Sequence, residues 1–164
     1  MRGSPPILKG GEVVVHLAHG RELTPEWVAR TTGGRLHPGG RPVRDLHWDS
    51  REVGPGSLFV ALPGAKTHGR RFAEEALDRG AHLVLSDRPG RATVEVEDPQ
   101  RALLRLGRGL RDLFPGTVVA VGGSSGKTTA KEALAQGLGF PCPPGNQNTA
   151  PPLARFFLGL SPEA

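Results

Sequence analysis

The sequence predicts an α/β protein: a small α/β N-terminal domain followed by the start of a phosphate-loop parallel-sheet domain that is truncated. Three observations carry this expectation. Between Leu46 and Asp87 two short apolar runs flank one run at helical spacing, the pattern of a β-α-β unit. The stretch TVVAVGGSSGKTTAKEALAQGL, residues 117–138, reads as a strand, a glycine-rich turn and a helix. Beyond it stand only residues 139–164, which hold too few strands to build a parallel sheet covered on both faces.

Taken in order, residues 1–22 are an extension with no assigned role; GSPP and KGG are loop-like, and residues 12–17 allow a short strand. Thr24 then caps a helix with Pro25 at its first position and Glu26 in its first turn. Leu23 and Val28 stand at the spacing of a hydrophobic staple, and Gly33 ends the helix. Gly54, Pro55 and Gly56 turn the chain into a strand over residues 57–62, which Pro63 and Gly64 stop. A helix over residues 72–79 puts Phe72, Ala73, Ala76 and Leu77 on one face and closes at Gly80; a strand over residues 81–85 follows at once. Residues 93–96 alternate as another short strand. Asp98 and Pro99 open a longer helix to Leu113, with Leu103, Leu106, Leu110 and Leu113 at helical spacing. Pro115 and Gly116 break it before a β-branched strand containing Val118, Val119 and Val121. A helix over residues 128–138, the irregular stretch FPCPPGNQNTAPP and a short amphipathic helix over residues 153–160 complete the chain. The expected organisation is an extension, 1–22, a first domain, 23–97, and the incomplete start of a second, 98–164.

Composition excludes more than it names. The net charge of +5 rests mostly on arginine, since Lys9, Lys66, Lys127 and Lys131 are the only lysines. Arg101, Arg105, Arg108 and Arg111 line the helix faces away from the leucines, which is how a solvated helix side reads. No aromatic stripe accompanies them, so nucleic acid is not an expected partner. Cys142 stands alone, which leaves no disulfide framework and no cysteine-based metal site. His16 and His19 have no acidic or thiol companions nearby, and zinc is not expected there. No apolar run reaches membrane length and no secretion signal opens the chain, so a cytoplasmic protein is the default expectation; a monomer is expected as well.

The chemistry sits in residues 122–128. Gly122, Gly123 and Gly126 let backbone N–H groups turn inward with no Cβ in the way, so several donors and the positive end of a helix surround a phosphate. Lys127 adds a point charge on the β/γ oxygens, and the Thr128 hydroxyl is placed to hold Mg²⁺. The longer general pattern would have glycine at Val121; the chain has the shorter Gly-x-x-Gly-Lys-Thr form, 123–128. A plain turn with a helix cap is the competing reading, and the strand before and helix after favour a nucleoside triphosphate site.

Two blocks carry a resemblance to the Mur ligases, the cytoplasmic ATP-dependent enzymes that add amino acids to the UDP-N-acetylmuramoyl peptide precursor of peptidoglycan. The first, DSREVGPGSLFVALPGAKTHGRRF, residues 49–72, is similar to the family signature Asp-Ser-Arg, Pro-Gly-x-Leu-Phe-Val-Ala-Leu and a Gly-x-x-x-x-Gly loop. The second is the phosphate loop with Ala130, Lys131 and Glu132 behind it; Gly-Lys-Thr-Thr-x-Lys-Glu resembles the member that adds the D-alanyl-D-alanine dipeptide. GNQNTAPPLARFFL, residues 145–158, matches that member's Gly-Asn-x-Asn-Asn segment in part. His68 stands where the family usually has aspartate, and Thr149 and Ala150 where an asparagine and an acid are common. The Asn148-Thr149 pair also resembles the sister ligase that adds the third residue, lysine or diaminopimelate. Folylpolyglutamate synthetase, a related ligase, is set aside because its loop reads Gly-Lys-Gly-Ser.

The resemblance implies a division of labour. The first domain would hold the UDP end of the precursor through Ser50, Arg51 and the loop Gly64, Ala65, Lys66 and Thr67; the alternative is that Asp49 and Arg51 form a structural turn and ion pair. The second would bind ATP through Gly123, Ser124, Ser125, Gly126, Lys127, Thr128 and Thr129, with Mg²⁺ at Thr128, Lys127 as the catalytic cation, and Asn146 and Asn148 on the nucleotide or precursor side. The implied reaction joins D-alanyl-D-alanine to UDP-N-acetylmuramoyl-tripeptide through an acyl phosphate. The sister ligase, a UDP-precursor-binding module without catalysis, and an unrelated phosphate-loop NTPase are the alternatives. The chain alone is expected to be inactive.

Overall fold

Strands with two faces to bury organise this chain. The structure, a computed structural model, describes residues 15–17, 20–64, 68–147 and 149–160. A two-stranded antiparallel ribbon, β1 (Val15–Leu17) and β2 (Gly20–Glu22), precedes the main body. Helix α1 (Pro25–Thr32) begins where Thr24 accepts from the Trp27 N–H at 3.2 Å and ends at Gly33 with φ of 73°. After it come β3 (Arg35–Leu36), β4 (Asp45–His47) and β5 (Ser57–Val60), then α2 (Ala73–Asp78), β6 (Leu83–Ser86), β7 (Thr93–Glu95) and the long α3 (Pro99–Leu113). Asp98 caps α3 by accepting from the N–H groups of Gln100 and Arg101.

These strands form one five-stranded sheet in the order β3-β7-β6-β5-β4. β4, β5, β6 and β7 are mutually parallel, and β3 closes one edge antiparallel to β7. The β5-α2-β6 unit read from the sequence is present, and the α/β class stands. Side chains alternate: Leu58, Val60, Leu83 and Leu85 enter one core with α1 and α3, whereas Phe59, Ala61 and Val84 enter a second core with Ala76 of α2. Burial on both faces is why these strands are continuous apolar runs. β3 and β4, at two and three residues, are too short to carry a legible period.

The chain beyond α3 divides in two. Helix α5 (Ala150–Gly159) packs on α3 and β4, with Ala154 and Leu158 in the first core. One glycine permits the close approach of α1 to α3: a Cβ on Gly109 would meet Thr31 Cγ2 at 2.6 Å, whereas Gly107 faces Ala154 with room for a methyl group. α3 and α5 therefore share the core of the first unit. Helix α4 (Lys127–Leu138) buries no residue. Residues 117–121, expected as a strand, pair with no other segment among the described residues, and this expectation is corrected. A β-branched run becomes a strand only where a neighbour offers its backbone N–H and C=O groups.

Candidate functional site

The loop before α4 is shaped by glycine. Gly123 and Gly126 have φ of 143° and 73°, and Gly126 is the cap at which the helix starts. A Cβ would meet nothing within 4 Å at Gly122 or Gly126, so there is open space beside the loop at both positions. Residues 122–126, with Ser124 and Ser125 among them, are exposed, and Thr128 is half-buried just inside the helix beside exposed Thr129. Lys127 curls back over the loop, its Nζ donating to the carbonyls of Gly123 and Ser124. The seven residues expected to hold nucleotide are thus brought together at one helix N-terminus, where free N–H groups and the helix dipole favour an anion.

That donor set fits a polyphosphate. For Mg²⁺ the fit is shared: among the described residues no group of three His, Cys, Asp or Glu side chains could hold a metal ion. Thr128 would then act with phosphate oxygens, as Mg²⁺ commonly does.

Sequence reading missed a tie behind the loop. Lys131, one turn along α4, donates from Nζ to the carbonyls of Pro143 and Gly145, which anchors the turn that carries exposed Asn146. The lysine was visible only as part of a motif, because its acceptors are backbone groups that no pattern announces. Beside this tie lies an apolar cavity of about 530 Å³, bounded by Val118, Leu134, Leu138, Phe140 and Phe156 among others.

The second candidate region follows β4. Asp49 caps a 3₁₀ turn, Ser50–Glu52, by accepting from the Arg51 N–H at 3.0 Å. Its carboxylate also grips the Arg51 guanidinium through Nε at 2.9 Å and Nη2 at 2.5 Å. These bonds from Arg51 hold the Asp49 carboxyl down at about 2. The Arg51 side chain is 80% exposed, whereas Ser50 is buried. The turn and ion pair read from the sequence are both present, and the guanidinium keeps its outer edge open to solvent. Gly64 is exposed and follows the bridge residue Pro63, which pairs with His68. His68 faces Asp87 at 3.6 Å, with Arg70 on the same carboxylate at 3.2 Å. The expected contacts Ala65, Lys66, Thr67 and Asn148 lie outside the described residues.

Comparison with known proteins bears on both regions. The Mur ligase family, catalytic domain, matches residues 43–108, from the strand before the Asp-Ser-Arg turn into α3. A UDP-N-acetylmuramoyl-L-alanyl-D-glutamate–2,6-diaminopimelate ligase of Geobacillus thermodenitrificans is 36% identical over 119 residues, covering 66% of this chain and 24% of the relative. Among solved structures, the UDP-N-acetylmuramoylalanyl-D-glutamyl-2,6-diaminopimelate–D-alanyl-D-alanyl ligase of Acinetobacter baumannii superposes with a TM-score of 0.77 at 28% identity, covering 89% of this chain and 35% of that one. The MurF ligase of Thermotoga maritima in complex with ADP gives 0.64 at 37% identity, over 71% of this chain and 29% of the other. The chain spans about a quarter of the length of the curated relatives it matches. Through residues 43–108, which match the Mur ligase family, and through these relatives and solved structures, the chain is similar to the Mur ligases.

Proposed function

We propose that this chain supplies the precursor-binding and phosphate-loop portions of an ATP-dependent ligase that joins D-alanyl-D-alanine to a UDP-N-acetylmuramoyl-tripeptide in the cytoplasm. The observation that carries the reading is the glycine loop closed by Lys127 at the start of α4, on a chain that also bears the Arg51 turn. In this reading residues 23–97 hold the precursor and residues 98–164 begin the nucleotide site. The outer edge of the Arg51 guanidinium takes a diphosphate oxygen, and Ser50 and residues 64–67 share the precursor-binding role. The loop 123–129 holds ATP, Thr128 holds Mg²⁺, and Asn146 and Asn148 serve the nucleotide or the precursor.

The chemistry follows from charge. A precursor carboxylate oxygen attacks the γ-phosphorus, the β/γ bridging bond breaks, and ADP leaves an acyl phosphate behind. The amine of D-alanyl-D-alanine then attacks that carbonyl carbon, phosphate departs, and the amine loses a proton. Lys127 neutralises charge on the phosphoryl group during transfer.

The Lys131-Glu132 pair behind the loop supports the D-alanyl-D-alanine step. The likeness to the diaminopimelate-adding ligase supports the sister step as a second reading. Calorimetric titration of UDP-N-acetylmuramoyl-dipeptide and -tripeptide into the chain separates them. Preference for the tripeptide is expected; preference for the dipeptide assigns the sister step. Binding of Mg-ATP with no affinity for either precursor sinks both in favour of an unrelated NTPase.

A further inference from the structure

Three side chains beyond the sites above, Arg155, Asp45 and His47, form a hydrogen-bonded chain that ends beside Glu52. Arg155 on α5 donates from Nε and Nη2 to the two oxygens of Asp45 at 2.9 and 3.2 Å. Asp45, which also accepts from the Leu46 N–H, takes its third partner from His47, whose Nε2 lies 2.9 Å from Oδ2. An ionised carboxylate only accepts, so the ring proton sits on Nε2. Asp45 and His47 are two apart on β4 and so share a face of the strand. The His47 side chain is only 8% exposed, and its Nδ1 makes no hydrogen bond. Glu52 Oε2 stands 3.5 Å from that nitrogen, at the end of the turn that carries Ser50 and Arg51. From α2, Arg79, paired with Glu75, reaches the same turn electrostatically at Asp49.

The two ends of this chain matter. α5 follows directly on the Asn146 segment that Lys131 anchors to α4, and Glu52 closes the candidate precursor turn. A lone exposed ion pair would contribute little. Here a two-pronged guanidinium fixes the plane of Asp45, and the fixed carboxylate sets both the tautomer and the rotation of a buried imidazole. The imidazole in turn sets the surroundings of Glu52.

We propose that Arg155, Asp45 and His47 are positioning residues, which hold the Ser50–Glu52 turn in a set orientation relative to α5. The consequence for ligand rests on the precursor role proposed above: the affinity of Ser50 and Arg51 for a nucleoside diphosphate depends on Arg155, a residue on α5 that stands 110 positions from Asp45 in the chain. Neither end needs to touch the other.

The test uses the ¹⁵N-labelled chain with uridine 5′-diphosphate as the probe. The His47 ring spectrum is expected to show the Nε2–H tautomer. Arg155→Met is expected to shift the amide signals of Ser50, Arg51 and Glu52, leave Ala154 and Leu158 in place, and weaken diphosphate binding about three- to tenfold. Arg155→Lys restores part of that affinity. Should Arg155→Met undock α5, His47→Gln, which leaves the Arg155–Asp45 pair standing, is expected to give the same shifts in the turn. Unchanged turn signals in both variants, or an Nδ1–H tautomer, overturn the proposal. A wild-type chain with no affinity for uridine diphosphate overturns the precursor reading instead, and the amide shifts then decide the positioning role alone.

Discussion

Leu58, Leu83 and Leu85 on the sheet are fully buried, whereas Val119, Leu134 and Leu138, equally apolar, are 59%, 46% and 56% exposed around the phosphate loop. The difference lies in partners, not in composition. Each sheet strand has a neighbour on at least one side, and β5 and β6 bury side chains on both faces; residues 117–121 and α4 have neither advantage among the described residues. The loop keeps its shape regardless, because positive φ at Gly123 and Gly126 and the start of a helix are local matters. Stability and the proposed nucleotide site therefore reside in different parts of this chain, and substitutions should separate them.

The largest expected effect is in the sheet region. Leu106→Ala empties a site with no exposure and should cost about 2–5 kcal/mol in urea unfolding. Leu134→Ala, on the exposed arm, should stay within about 0.5 kcal/mol. Equal costs would break the contrast. Next comes Lys127→Ala, which should leave the unfolding transition in place while lowering Mg-ATP affinity at least about tenfold, the usual worth of a hydrogen bond to a charged group. Nucleotide affinity that survives this change would detach the loop from its proposed role.

The same contrast explains what the sequence made legible. α1 and α3 were readable because Thr24 with Pro25 and Asp98 with Pro99 are local cap chemistry, and the glycine loop because backbone freedom is local too. The β5-α2-β6 unit was readable because both strands are buried on both faces. What escaped depended on distant partners. β4 is three residues long and became a strand through its pairing with β5; the 117–121 run had the right residues and lacked a neighbour. At the site, the Asp49–Arg51 grip lay within one turn of sequence, whereas Arg155 meets Asp45 across 110 positions, which no spacing announces.

Glycine sharpens the comparison further. In an exposed helix, alanine for glycine gains about 1 kcal/mol. A methyl group added at Gly137 on α4 would have nothing within 4 Å, so Gly137→Ala should gain up to about that amount. At Gly109 on α3 the same methyl would stand 2.6 Å from Thr31 Cγ2 and 3.2 Å from Trp27. Overpacking there costs about 1–3 kcal/mol, so Gly109→Ala should be destabilising on balance. Thermal melts of the two variants should move in opposite directions, and a shared direction would mean that α3 is no more tightly packed than α4.

The smallest effect is in acid. Asp49 is held at about 2, first by the Arg51 side chain and then by the Arg51 N–H. Burial acts to raise Asp45, but the hydrogen bonds from Arg155 and the Leu46 N–H, with the His47 and Arg155 charges, together hold it below the usual carboxylate range. Both folded values lie below those of the unfolded chain, so the unfolded state takes up protons first as pH falls. Their contribution is fully present above about pH 4, the unfolded carboxylate range, and is lost as pH falls through the folded values, which for Asp49 means toward about 2. Arg51 lies in open solvent, so its share should also shrink in salt. Urea midpoints measured from pH 6 to pH 2 should therefore hold steady and then fall. Asp45→Asn should flatten the fall more than Arg51→Ala, because the Asp45 pair is the less exposed of the two and less screened by solvent. If Arg51→Ala flattens it more, the turn and not the α5 contact is the stronger electrostatic tie, and the sheet region owes less to Arg155 than its geometry indicates.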